Sequence, residues 1–191
     1  LGGDIAPLIA TAGTPDFNDA VVTALRQVSA SRTPERMQAL AGEILERKPH
    51  LVGLQEVWKF ECLPAGPTPA GYGCDDPSIR NAFNDHLQLM RTALGGAYED
   101  VARVTNLDLQ SFDVYPGIPF FINDVPAFLR VTDRDVILAR SDVASSAVPV
   151  DFECAPDGLG GTLESDDGCN YGIVVELALI GRVERGYVGV D

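Results

Sequence analysis

Apolar residues recur along the first half of this chain at the spacing of helices and along the second half at the spacing of strands. From Phe17 to about Ser29, Val21, Ala24, Leu25 and Val28 fall on one helical stripe. Thr33 then reads as an N-cap with Pro34 at the first helical position. Met37, Leu40, Ala41, Ile44 and Leu45 follow at helical intervals until Lys48-Pro49 ends the run. HLVGLQEVW, residues 50–58, is short, apolar and rich in strand formers, so it predicts a buried strand. The segment to Pro77 reads as a loop. A further helix is predicted from a Ser78 cap, burying Ile79, Ala82, Phe83, Leu87, Met90 and Leu94 and stopping at Gly95-Gly96.

From Tyr98 the pattern changes. YEDVARVT, SFDVYP, VPAFLRV, DVILAR and IVVELALI read as successive strands between turn residues, and RVERGYVGVD as one more. The stretch from about Asp151 to Asn170 reads as a surface loop. Helices followed by a run of strands imply a layered α/β or α+β domain with mixed strand directions.

Composition narrows the functional classes. A chain of 191 residues fits one domain or part of a larger one, and 46% hydrophobic content can fill a core. No apolar run approaches the ~20 residues that span a bilayer. The net charge of -14 repels nucleic-acid phosphates and removes the basic footprint of a DNA binder. A bound divalent ion would offset that repulsion locally.

The four cysteines form two sequence-local pairs, Cys62 with Cys74 and Cys154 with Cys169, each bracketing a segment rich in Gly, Pro and Asp. Of the three possible connectivities the two local disulfides are preferred. They favour a secreted or extracytoplasmic protein. Metal ligation is a rival, without CxxC spacing or a nearby histidine to support it. Four reduced thiols are the remaining alternative.

Glu56 is the most informative single position. It stands near the C-terminal end of a predicted buried strand, where an ionised carboxylate is costly unless it is paired or bound to a metal. Ligands also collect at strand ends in open α/β sheets. A salt-bridged or exposed strand-end glutamate is the plainer reading of the spacing alone. Arg134 offers a guanidinium suited to a substrate phosphate, and a salt bridge to Asp133 or Asp135 competes with that role. His86 falls on the apolar side of its helix and reads as structural, and His50 as a turn residue. Asp157, Asp166 and Asp167 lack calcium-loop spacing and read as a solvated acidic loop.

RMQALAGEILERKPHLVGLQEVW, residues 36–58, closely resembles the first helix-strand unit of the endonuclease/exonuclease/phosphatase superfamily. His50 stands where that family more often has Asp. TDRDVILARSDV, residues 132–143, resembles a later strand of the family, with Asp133, Arg134 and Asp135 replacing glycine and small residues. LGGDIAPLIATA and VERGYVGVD resemble the loop after an upstream Asn motif and the strand before a Thr-His-Leu motif. The resemblance implies a partial four-layer α/β sandwich, deoxyribonuclease-I-like, with mostly antiparallel sheets flanked by helices. Residues 1–191 would be its first part, without the later Asn, His and Asp motifs and therefore without useful turnover. It implies Mg2+-dependent hydrolysis of a phosphoester, with Glu56 as the catalytic metal ligand, Gln55 supporting it, and Mn2+ as a substitute ion. The substrate would be a nucleic acid, a phospholipid or a small phosphate ester, and no obligate protein partner is called for. A secreted sphingomyelinase-like phospholipid hydrolase is the alternative enzyme. A non-catalytic binding protein that keeps the fold is the alternative outside enzymes.

Overall fold

The computed structural model describes residues 10–111, 114–151, 171–179 and 182–189, with side chains described through Val143. Cys154, Cys169, Asp157, Asp166, Asp167 and the Gly2-Gly3 pair lie outside the described residues. Helix α1 (Phe17–Ala30) buries Val21, Val22 and Leu25. Helix α2 (Thr33–Arg47) buries Met37, Ala41 and Ile44, and Leu45 is left at the surface. Thr33 does not cap α2. The cap position is Arg32, held left-handed at φ 54°, and the Thr33 hydroxyl instead meets Ser31 Oγ at 3.1 Å. Lys48, also left-handed, closes α2 by donating to the Ile44 carbonyl at 2.8 Å.

The helix expected from Ser78 is shorter than its apolar pattern suggests. Only α3 (His86–Leu94) is α-helical, preceded by a 3-10 turn over Arg80–Ala82. Local polar groups decide the boundary. Asp76 accepts from the Ser78 amide and hydroxyl, and Asp85 accepts from the amides of Leu87 and Gln88, starting the helix there. Gly95 ends α3 in the left-handed conformation, its amide donating to the Arg91 carbonyl.

A long central strand organises the main sheet. The chain forms β1 (Leu51–Leu54), β2 (Lys59–Pro64), β3 (Tyr98–Leu109), β4 (Ile118–Ile122) and β5 (Val125–Arg140). All four others pair antiparallel with β5. The pairing overlaps put β1 and β2 along one edge of β5 and β3 and β4 along the other. The sequence pattern divides β5 into VPAFLRV and DVILAR, with Thr132-Asp133-Arg134 between them, where the structure has one continuous strand. The pattern also reads KFECLP as loop, although Phe60 and Cys62 alternate with Lys59 and Glu61. IPFFI rather than SFDVYP supplies β4, and it joins β5 through Asn123 and Asp124 at φ 49° and 62°. Positive φ at both residues is what a tight two-residue hairpin needs. A second sheet is an antiparallel meander of β6 (Ala144–Asp151), β7 (Tyr171–Leu179) and β8 (Arg182–Gly189).

Two apolar clusters flank the middle of β5. Ala127, Leu129 and Val131 pack with α1, Trp58 and Phe120. Val136 and Leu138 pack with α2, α3, Leu54 and Val57. The first cluster uses alternate, odd-numbered residues of β5, whereas from Asp133 to Ala139 every residue is buried, Val136 and Leu138 in the second cluster and Ile137 in a third beside Leu51 and Val104. Cys62 on β2 is bonded to Cys74 with Cα atoms 5.7 Å apart, tying the Gly- and Pro-rich segment to the sheet edge. No helix of the described residues is long and apolar enough to cross a membrane.

Leu138 is fully buried, so Leu138→Ala leaves a cavity and is expected to cost about 3 kcal/mol in urea unfolding. The same truncation at exposed Leu45 is expected to cost less than about 0.5 kcal/mol.

Candidate functional site

Burying three consecutive charged residues in a strand demands compensation on every side. Asp133, Arg134 and Asp135 are each no more than 9% exposed. The rows on both edges of β5 are irregular at this level. On one edge Leu54 pairs with Val136 and Lys59 with Thr132, so four residues, 55–58, lie opposite three, 133–135. On the other, Thr105 pairs with Arg134 and Leu107 with Asp133, leaving Asn106 as an extra residue. Such bulges re-aim side chains.

Glu56 sits in the first irregularity, exposed and left-handed at φ 52°. The expected strand over 50–58 therefore stops at Leu54, and Glu56 lies just beyond its end. A non-glycine residue in this region is strained by roughly 1–3 kcal/mol unless its surroundings hold it there. Here the Glu56 amide donates to Asp135 Oδ1 at 3.0 Å, and the Val57 amide donates to the Arg134 carbonyl at 2.7 Å. The backbone of this segment is thus fixed by β5 residues about 80 positions later.

Asp133 is the uncompensated member. Its Oδ1 is buried with no hydrogen-bond partner, and its Oδ2 receives a long 3.5 Å contact from Asn106 Nδ2. Burial raises its carboxyl above the ordinary range, and the charges of Asp135 and Glu56 push the same way, outweighing the Asn106 contact and a hydrogen bond from the Arg134 backbone.

Arg134 is turned away from these carboxylates. Its guanidinium makes a two-pronged pair with Asp85, at 2.6 and 3.3 Å, and its Nε donates to the Val57 carbonyl at 3.2 Å. The expected salt bridge to Asp133 or Asp135 is replaced by this one, because Asp85 lies at the start of α3 and opposite the bulge. Burial pushes the Asp85 carboxyl up, but Arg134 and the amides of Gln88 and Leu87 outweigh it and hold it below the ordinary range. With its guanidinium so engaged, Arg134 anchors the bulge to α3.

His86 is 2% exposed, its ring 6.0 Å from that of Phe60 and both ring nitrogens without partners. Burial pushes its pKa down to about 4, so it is neutral at pH 7. His50 stands on the surface at the turn into β1, its carbonyl accepting from the Arg140 amide at 2.9 Å. Sequence reasoning found Glu56 but missed Asp135 as the acceptor of its amide, and Asp85 and Asn106 as the partners of Arg134 and Asp133. The signal available was a run of charge between and within the two apolar strand runs VPAFLRV and DVILAR.

Among the described residues no group of three or more His, Cys, Asp or Glu side chains is disposed to hold a metal ion. No protein-family model, curated protein or solved structure matches the chain.

Two expectations follow. Asp133→Asn removes the buried charge and, with chelator present at pH 7, is expected to stabilise the fold by on the order of 1 kcal/mol in urea unfolding. A loss of that size instead would mean that the charge is well compensated. For His86 the folded pKa lies below the unfolded one, so unfolding takes up a proton in between. Stability is therefore expected to fall as pH drops from 6.5 toward about 4, and His86→Leu should flatten this part of the pH-stability curve.

Proposed function

We propose that this chain belongs to a metal-dependent phosphoester hydrolase of the endonuclease/exonuclease/phosphatase kind, with Glu56 as the Mg2+ ligand. The observation that carries the reading is the left-handed Glu56 at the end of β1, latched by Asp135 and adjoining the uncompensated Asp133. Backbone strain at a charged residue is retained where a fixed side-chain direction matters. The stretch RMQALAGEILERKPHLVGLQEVW supplies independent support through its resemblance to that family. The antiparallel sheets and helices are consistent with a share of a deoxyribonuclease-I-like four-layer sandwich.

The donor set suits a hard divalent ion, being oxygen only and carrying excess negative charge. Mg2+ accepts one or two carboxylates and keeps several waters, so Glu56 serves as the protein ligand without a three-residue cluster. Bound there, the ion would supply Lewis-acid polarisation of a phosphoryl oxygen. The chain's own work is positional. Glu56 presents its carboxylate from a strand end, Asp135 fixes the backbone beneath it, and Arg134 with Asp85 braces the bulge from behind. The substrate-phosphate role considered for Arg134 gives way here to this bracing role.

Among phosphoesters, the net charge of -14 and the Cys62–Cys74 disulfide favour a phospholipid or small ester, met outside the cytoplasm, over duplex DNA. The protein is expected to hydrolyse sphingomyelin vesicles faster than plasmid DNA and only with Mg2+ or Mn2+. Glu56→Ala should lower that rate by at least about 100-fold. Metal-independent turnover, or turnover insensitive to Glu56→Ala, would sink the assignment. Mg2+ binding that depends on Glu56 without hydrolysis would favour a non-catalytic binding protein.

A further inference from the structure

We infer that Asp135 is a positioning residue, whose carboxylate oxygen latches the Glu56 backbone and so sets the affinity of the site for a divalent ion. The inference rests on the metal-site reading of Glu56 and adds to it a specific residue and a specific atom. Three observations converge. Glu56 is one of five non-glycine residues with positive φ among the described residues. Two of the others, Arg32 and Lys48, adjoin helix ends, and Asn123 and Asp124 form a hairpin turn. Those are ordinary settings for such backbone. Glu56 alone stands between two strands of one sheet row, where a glycine would relieve the strain and a large charged residue adds to it.

The latch is the second observation. Asp135 Oδ1 accepts the Glu56 amide at 3.0 Å, the Arg134 carbonyl accepts the next amide at 2.7 Å, and Arg134 Nε donates to the Val57 carbonyl at 3.2 Å. Consecutive peptide groups are thus held by consecutive residues of one rigid strand. The third observation is burial. Asp135 is 6% exposed, and desolvating a carboxylate beside Asp133 is unfavourable unless a fixed N–H donor is gained. A carboxylate that accepts from the ligand's own backbone orients the ligand, as outer-shell groups do in metal sites, where their loss typically weakens binding about 10–100-fold.

The distinction to be drawn is between the acceptor atom and the charge. Asparagine keeps an oxygen acceptor at the same reach and loses the charge, and alanine loses both. The test titrates Mn2+ calorimetrically into the wild-type chain and into Asp135→Asn, Asp135→Ala and Glu56→Gln. Thermal unfolding of each variant is followed, with hydrogen exchange at the Glu56 amide. The latch predicts a protected Glu56 amide in the wild type. It predicts Mn2+ affinity within about threefold of wild type for Asp135→Asn, and about tenfold or more weaker for Asp135→Ala with faster exchange at residue 56. Equal weakening by both Asp135 substitutions would overturn it, since charge would then be acting. So would an unprotected Glu56 amide in the wild type, a measurement that stands even where Asp135→Ala fails to fold. If Mn2+ binding is absent, or unchanged in Glu56→Gln, the metal-site reading fails by itself, and the amide measurements still decide whether Asp135 latches residue 56.

Discussion

Strand β5 must carry Asp133, Arg134 and Asp135 through the middle of the protein without giving up its pairing on either edge. Each of these side chains prefers water, and moving an ion into a low-dielectric interior costs several kcal/mol even after relaxation. The fold answers with irregularity on both neighbours at the same level. The row formed by β1 and β2 gains one residue, and β3 gains Asn106. These extra residues deliver polar backbone and side-chain groups to the charged stretch, which two straight neighbours would have left facing apolar side chains. The two apolar clusters end where the charges begin, and there burial along β5 passes from alternate residues to every residue.

The three charges are not treated alike. Arg134 is satisfied by the half-buried Asp85, itself held by helix amides, and losing that partner would leave a buried guanidinium unpaired. Asp135 is satisfied by a backbone amide. Asp133 is left with a buried oxygen unmatched and two carboxylates acting on it. Stability alone would favour an amide or an apolar residue at that position. A buried group that costs stability in the unliganded protein becomes intelligible where a cation shares its surroundings. That is the physical link between the architecture of β5 and the role proposed for Glu56.

The disulfide belongs to a different part of the stability problem. The residues between Cys62 and Cys74 are turn formers with little apolar surface, and a covalent link to β2 substitutes for packing that they cannot supply. His86 shows the opposite solution, a polar ring buried beside Phe60 and kept neutral by that burial.

The amphipathic helices were legible in the sequence because a 3.6-residue apolar period has one interpretation: Val21, Leu25, Met37, Ala41 and Ile44 are buried as their spacing requires. Glu56 was legible as an anomaly, a carboxylate at the end of an apolar run. Most later strands were legible as closely spaced β-forming runs between turns, but their directions read as mixed, and the fully antiparallel pairing is a result of the tertiary structure. Tertiary structure decided the rest. A local reading breaks the strand at Thr132-Asp133-Arg134, since only pairing with β1, β2 and β3 and the approach of Asp85 make those charges tolerable inside it. The start of α3 depended on Asp85 serving its own helix and Arg134 together. The conformation of Glu56 depended on an acceptor 79 residues away. Periodicity reports which face of a segment is buried, but the partner of a buried charge is set by long-range geometry, which no local pattern encodes.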